Sequence, residues 1–222
     1  MTPRRSSQSD LHWVRPPQQA RSQETLDRIL DAAEGLVAEK GFEDARVAEI
    51  VERAGSSVGA FYTRFQDKHG LLHALYERYY EQAVATADAA LDPERWEGAT
   101  IPEILGAVVH FLVEIYRNRR GLIRAFAVRN RSDDEFRARQ ERLSHYVSSR
   151  LTALLLARAV EIRHPDPERA APFGFAMVFS TLEGAMLFGE MRSGGLVLSD
   201  DDLARELTHA CLAYLGIQET TP

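Results

Sequence analysis

The stretch from Gly41 to Leu72 constrains this chain more than any other. Val47, Ile50, Val51 and Ala54 fall at i, i+3, i+4 and i+7, the spacing of one short amphipathic helix, and Gly55 stops it. Ser57 can cap a second short helix, which carries Phe61 and Phe65 on one face. Gln66-Asp67 breaks that helix, and Asp67 can cap the next. Two short helices with a tight glycine turn between them, both needing to bury an apolar side, fold as a helix-turn-helix. The other face of the second helix carries Val58, Gly59, Ala60, Tyr62, Thr63 and Arg64. Small residues there let the backbone approach base edges. Ser57 and the first N–H groups offer donors to phosphate, and Arg64 can reach guanine or phosphate.

The rest of the chain also reads as helix. Leu26, Ile29, Leu30, Ala33, Leu36 and Val37 repeat at about 3.6 residues, with Ser22 as the expected cap and Gly41 as the stop. A further helix runs from Asp67 through Leu71, Leu72, Leu75 and Tyr79 to about Ala90. Turn signals then divide the chain into expected helices at about 102–117, 119–129, 133–163 and 168–191. A last helix is expected from Ser199, with Asp202 as capping-box partner, to Gly216. No stretch alternates with period two, so the expected class is all-α. Residues 1–20, with Arg4, Arg5, Arg15 and Pro16-Pro17, read as a basic arm, 21–66 as the helix-turn-helix domain, 67–216 as a larger helical domain and 217–222 as a tail.

Composition narrows the function. The 222 residues are 45% hydrophobic, enough for a substantial core, and the net charge of −6 argues against a protein that coats nucleic acid by charge alone. The acid is concentrated late: residues 1–76 hold 10 Lys/Arg against 11 Asp/Glu, and the remainder 17 against 22. A specific DNA binder needs only a local basic surface. With Cys211 as the one cysteine, neither a disulfide framework nor a cysteine zinc site can form within the chain. No apolar stretch follows Arg4-Arg5, and the longest apolar runs are too short for a membrane span, so a cytoplasmic protein with no membrane partner is expected.

Several segments together resemble one family. They are Ile29-Leu30-Asp31-Ala32-Ala33, Glu39-Lys40-Gly41-Phe42, Ile50-Val51-Glu52-Arg53-Ala54-Gly55 and Ser57-Val58-Gly59-Ala60-Phe61-Tyr62, then Phe65, Lys68 and Leu71-Leu72. They are similar to the TetR/AcrR family of bacterial repressors over about 50 residues at fixed spacing. The resemblance implies that the helix after Ser57 is the recognition helix and that Tyr62 and Lys68 hold phosphates. It also implies that the C-terminal helices form an effector pocket and that the last two pair as a four-helix dimer interface. The chain departs from the pattern at three places. Ala45 and Arg46 stand where the family has Thr or Ser, so Asp44 is left to cap and Arg46 to contact phosphate. Ser56 stands at a usually apolar position, and His69-Gly70 follows Lys68.

Other signals carry less. Gly55-Ser56-Ser57-Val58-Gly59 matches a nucleophile elbow in letters, but a helix rather than a strand precedes it. His69 with His73, and His110 with Glu114, are half-sites for a metal with no third ligand, so no metal and no cofactor is expected. Arg117, Arg119, Arg120, Arg124, Arg129 and Arg131 form a basic cluster, read either as a solvated face or as an attractor of an anionic group. Trp96, Phe111, Tyr116, Phe126, Tyr146 and Phe175 are the candidate effector-pocket aromatics. By the resemblance, Phe179, Glu183, Gly184, Leu187, Leu203, Leu207, Ala210 and Tyr214 form the dimer seam, with Cys211 as a small packed residue. The expected protein is a homodimer on a near-palindromic operator, released by an unidentified small molecule. The effector would act through the fourth helix by moving the recognition helices off the half-site spacing of about 34–36 Å. A helical enzyme and a binding bundle without DNA contacts are the rival classes.

Overall fold

The computed structural model describes residues 20–188 and 198–217, with the side chains of 20, 21 and 186–188 left aside. Among the described residues the secondary structure is helical throughout, without a sheet. The helices are α1 (Ala20–Lys40), α2 (Val47–Arg53), α3 (Val58–Arg64), α4 (Lys68–Ala90), α5 (Ile101–Asn118), α6 (Arg120–Asn130), α7 (Asp134–Leu156), α8 (Pro167–Phe188) and α9 (Asp200–Leu215). They fall into two compact units, Met1–Tyr80 and Glu81–Pro222, and the division lies inside α4.

In the first unit, α1, α2 and α3 close around Ile29, Ala33, Ile50, Phe61, Phe65, Leu71, Leu75 and Tyr76, all at most 1% exposed. Phe61 and Phe65 pack with ring centroids 4.9 Å apart. Burial on this scale contributes about 1.5–3 kcal/mol for each large side chain, enough to fix the angle between two helices of seven residues that would not hold alone. Gly55 ends α2 at φ +58, a left-handed turn that a β-carbon would strain. The Ser56 N–H then bonds back to Val51 O at 2.8 Å. Ser57 Oγ caps α3 by accepting from Ala60 N at 3.1 Å, and Asp67 Oδ1 caps α4 by accepting from Gly70 N at 2.8 Å.

The second unit is built on a core of Ile101, Ile104, Leu105, Val109, Leu151, Leu154, Leu155, Leu182, Leu212 and Leu215. α9 packs along α5 and α8, and α8 packs along α7. Ser199 Oγ accepts from Asp202 N at 3.1 Å to start α9. Gly216 at φ +71 ends α9, and its missing β-carbon would lie 3.0 Å from Arg163 Cβ. That approach lets the Arg163 and His164 N–H groups both reach Leu215 O, at 3.0 and 3.1 Å.

The structure corrects several sequence expectations. α1 starts at Ala20, so Ser22 lies inside the helix instead of capping it. Arg46 rather than Asp44 is the N-cap of α2, and Glu49 Oε2 accepts its N–H at 3.0 Å. The helix expected to reach residue 163 ends at Leu156. Arg158 is the reason: its guanidinium donates to Ala99 O at 2.6 Å, to Leu154 O at 3.0 Å and to Trp96 O, and these bonds turn the chain into a 3-10 segment at Ala159–Glu161. Glu161 Oε2 then accepts from Ile101 N at 3.0 Å, joining this turn to the start of α5. The expected end of α8 near residue 191 lies outside the described residues.

Candidate nucleic-acid interface

α3 presents a divided surface. Phe61 is fully buried, while Val58 and Tyr62, one turn apart, are 47% and 53% exposed. Gly59 and Thr63 form a second exposed pair beside them. A β-carbon built on Gly59 meets only Ser57 Oγ, at 3.9 Å, so the fold does not require glycine there and the open backbone faces outward. Thr63 Oγ1 donates to Gly59 O at 2.8 Å, which turns the hydroxyl back onto the helix.

Two cations expected to touch DNA have partners within the protein. Arg64 Nη1 donates to Ser22 Oγ at 3.0 Å, and its Nε is buried. Its guanidinium therefore ties α3 to α1. Lys68 Nζ donates to Glu43 O at 2.8 Å and stands 4.4 Å from the Phe42 ring centroid. Burial lowers the Lys68 pKa, opposed by the nearby Glu43 and Asp44 charges. The ammonium thus closes the α1–α2 turn. Arg46 is exposed at the start of α2, and Ala45 beside it is fully buried, so the departure at 45 belongs to the core and the one at 46 to the surface.

The scaffold under this face is braced by charge. Arg53 grips Glu39 through two bonds of 2.7 and 2.9 Å, and Lys40 Nζ reaches Glu49 Oε1 at 2.7 Å. The Arg53 hydrogen bond holds the Glu39 carboxyl below its ordinary pKa, and the Lys40 bond does the same for Glu49. Arg78 joins α4 to α1 through Asp31 at 2.6 Å and Glu34 at 3.0 Å. Sequence reasoning missed the Ser22–Arg64 and Arg78 contacts. They join residues 42 to 47 positions apart, and no periodic signal marks such a pair.

In the second unit the candidate pocket aromatics do not form one group. Tyr116 and Phe175 lie in the main core, with Trp96 and Tyr146 packed against it. Trp96 Nε1 donates to Ala90 O at 2.7 Å. Tyr146 OH donates to Asp88 Oδ1, and Arg150 Nη1 lies 3.2 Å from the same carboxylate. Phe126 pairs instead with Phe136 at 5.6 Å, and Phe111 is 39% exposed on α5. An open groove of about 340 Å³ runs between α5 and α9, lined by His110, Arg205, Glu206, Thr208 and His209 among others. Of the arginine cluster, Arg117 lies 3.8 Å from Asp200 and Arg129 pairs with Asp133 at 2.9 Å, while Arg120, Arg124 and Arg131 are exposed.

The expected seam residues also separate. Leu207 and Cys211 lie in the core of the second unit, and Leu203 and Tyr214 pack against the same core. Ala210 is exposed, and Leu203, Tyr214, Phe179, Glu183 and Gly184 are half-buried. The Leu187 side chain lies outside the described ones. Burial alone raises the Glu183 pKa. Phe173, half exposed, packs tilted against Tyr214 with ring centroids 5.3 Å apart, so α8 and α9 share an outward apolar edge. Among the described residues no group of three or more His, Cys, Asp or Glu side chains is placed to hold a metal ion. Among the same residues no helix is long and apolar enough to cross a membrane.

Two short helices closed on the longer α1, followed by a larger helical unit, make a helix-turn-helix domain of the kind found in DNA-binding transcriptional regulators. Residues 29–75 match the model of bacterial regulatory proteins of the tetR family, and residues 100–215 match the tetracyclin repressor-like C-terminal domain. The chain belongs to the TetR family, whose members are transcriptional regulators and not enzymes. It is 31% identical over 114 residues to the HTH-type transcriptional regulator CymR of Pseudomonas putida, a match covering 51% of each protein, so the chain spans about half the length of that relative. A TetR-family regulator from Mesorhizobium loti superposes with a TM-score of 0.70 at 19% identity, covering 89% of this chain and 98% of that one. FadR from Bacillus subtilis, solved with stearoyl-CoA, superposes at 0.59 and 23% identity, covering 86% and 99%.

Proposed function

We propose that this regulator is a repressor, acts as a homodimer on a near-palindromic operator, and releases it when a small molecule occupies the second unit. The observation that carries this reading is the match of residues 100–215 to a tetracyclin repressor-like domain, joined to the outward face of α3. The structural neighbour solved with stearoyl-CoA supports a second unit that takes an effector. The half-exposed Phe173, with Leu203, Ala210 and Tyr214, supports an isologous seam on α8 and α9, since large apolar side chains are seldom left in water without a partner. Tyr62 and Arg46, both exposed, supply phosphate contacts, and Lys68 adds one through the N–H groups that its bond to Glu43 O leaves.

The switch runs through α4, which continues from one unit into the other. An effector moves the equilibrium only by binding one state better than the other. Transcription in vitro from a promoter overlapping the bound site tests the sign of regulation: loss of transcript is expected, and a rise makes the protein an activator. Spin labels on the two recognition helices test the switch. An unchanged separation on addition of a compound that releases DNA contradicts it.

A further inference from the structure

We infer that α3 reads its operator chiefly through the 5-methyl groups of thymine, with Val58 and Thr63 as the reading side chains. The inference rests on the reading of α3 as the recognition helix. In the major groove, guanine is read by Arg or Lys, adenine by Asn or Gln, and thymine by apolar contact with its methyl group. The sequence Val58–Arg64 contains no Lys, Asn or Gln, and its one cation is withdrawn, since Arg64 bonds Ser22 Oγ at 3.0 Å. What the outward face offers is apolar. Val58 presents its two methyls at 47% exposure. Thr63 commits its hydroxyl hydrogen to Gly59 O, so it offers the groove no donor, only its methyl and an accepting oxygen. Gly59, between them, adds no side chain that would hold the helix off the groove floor. Tyr62 carries a hydroxyl at the end of an exposed ring, in keeping with a phosphate contact rather than a base edge.

The test begins with sites selected by the full-length protein from a randomised duplex library. Each thymine of the selected half-site is then replaced by deoxyuridine, which removes the 5-methyl group and nothing else. Affinity is read by fluorescence anisotropy at fixed salt. At one or more thymines the replacement is expected to weaken wild-type binding about fourfold per half-site, the equivalent of one buried methylene. That penalty is expected to vanish in Val58→Ala or in Thr63→Ser, each of which removes methyl groups from an exposed position and leaves the core intact. Thr63→Ser also keeps the hydroxyl bonded to Gly59. Selected half-sites without thymine, deoxyuridine duplexes bound as tightly as thymine ones, or a penalty retained in both variants would each overturn the inference. Selection of no sequence at all is a separate result, which refutes the recognition-helix reading and this inference with it.

Discussion

Gly174 on α8 sits against Cys211 on α9, and a β-carbon at 174 would lie 2.9 Å from Cys211 Sγ, well inside van der Waals contact. The sulfur has one torsion and is 2% exposed in the core, so it has little room to move aside. Gly174→Ala therefore gains about 1 kcal/mol of helix propensity and loses about 1–3 kcal/mol to overpacking, for a net loss of about 1 kcal/mol. Cys211→Ala alone removes one buried atom and costs about 1 kcal/mol. In the double variant the new methyl occupies the space the sulfur left. The clash disappears and the helix gain stays, giving a favourable coupling of about 1–3 kcal/mol. Urea unfolding at one fixed protein concentration measures all four proteins, since the stability of the proposed dimer depends on concentration. Additivity within about 0.5 kcal/mol would refute the α8–α9 packing described here, and with it the placement of the outward edge beside it.

Arg46→Ala is expected to lower the slope of log affinity against log salt by about 0.9 per protomer, at every DNA sequence alike. Arg64→Ala removes no base contact and acts by loosening α3. It should lower thermal stability as well as operator affinity, and Ser22→Ala should reproduce part of both effects. Glu39 and Glu49 have folded pKa values below their unfolded ones, so their pairs stabilise the first unit above the ordinary glutamate value of about 4.3. That contribution is lost as pH falls through the lowered folded values. Acid unfolding followed by circular dichroism is expected to begin at higher pH and to depend less steeply on pH in the Glu39→Gln, Glu49→Gln double variant, because the stabilisation these ionised pairs add is lost. Burial pushes the Cys211 thiol up to about 11, so thiol reagents at neutral pH should label it only on unfolding.

The helix-turn-helix was legible because its signals are local. The i, i+3, i+4 spacing of Val47, Ile50 and Val51 marks a buried face, and Gly55, Ser57 and Asp67 punctuate it within a few residues. The same holds for α9, whose start at Ser199 and stop at Gly216 are both capping signals. What the sequence hid depends on distant partners. Nothing near Arg64 announces that Ser22 will hold it, so an arginine on a recognition helix reads as a base contact until the fold is known. Nothing near Arg158 announces that the carbonyls of Trp96 and Ala99 will end α7 seven residues before the periodic pattern does. An apolar stripe such as Leu203, Leu207 and Cys211 also shows that a face is buried without showing whether its own core or a second copy buries it. Here Leu207 and Cys211 turn inward and Ala210 turns out.

The proposed regulator binds one DNA sequence specifically as a two-fold dimer. Fluorescence anisotropy of the full-length protein on its selected duplex, with scrambled duplex as competitor at fixed salt, measures both parts. Saturation at two protomers per duplex, with preference over scrambled DNA of about a thousandfold or more, is the predicted result. Equal binding to both duplexes at every salt concentration, or saturation at a single protomer on a site without two-fold symmetry, would contradict it.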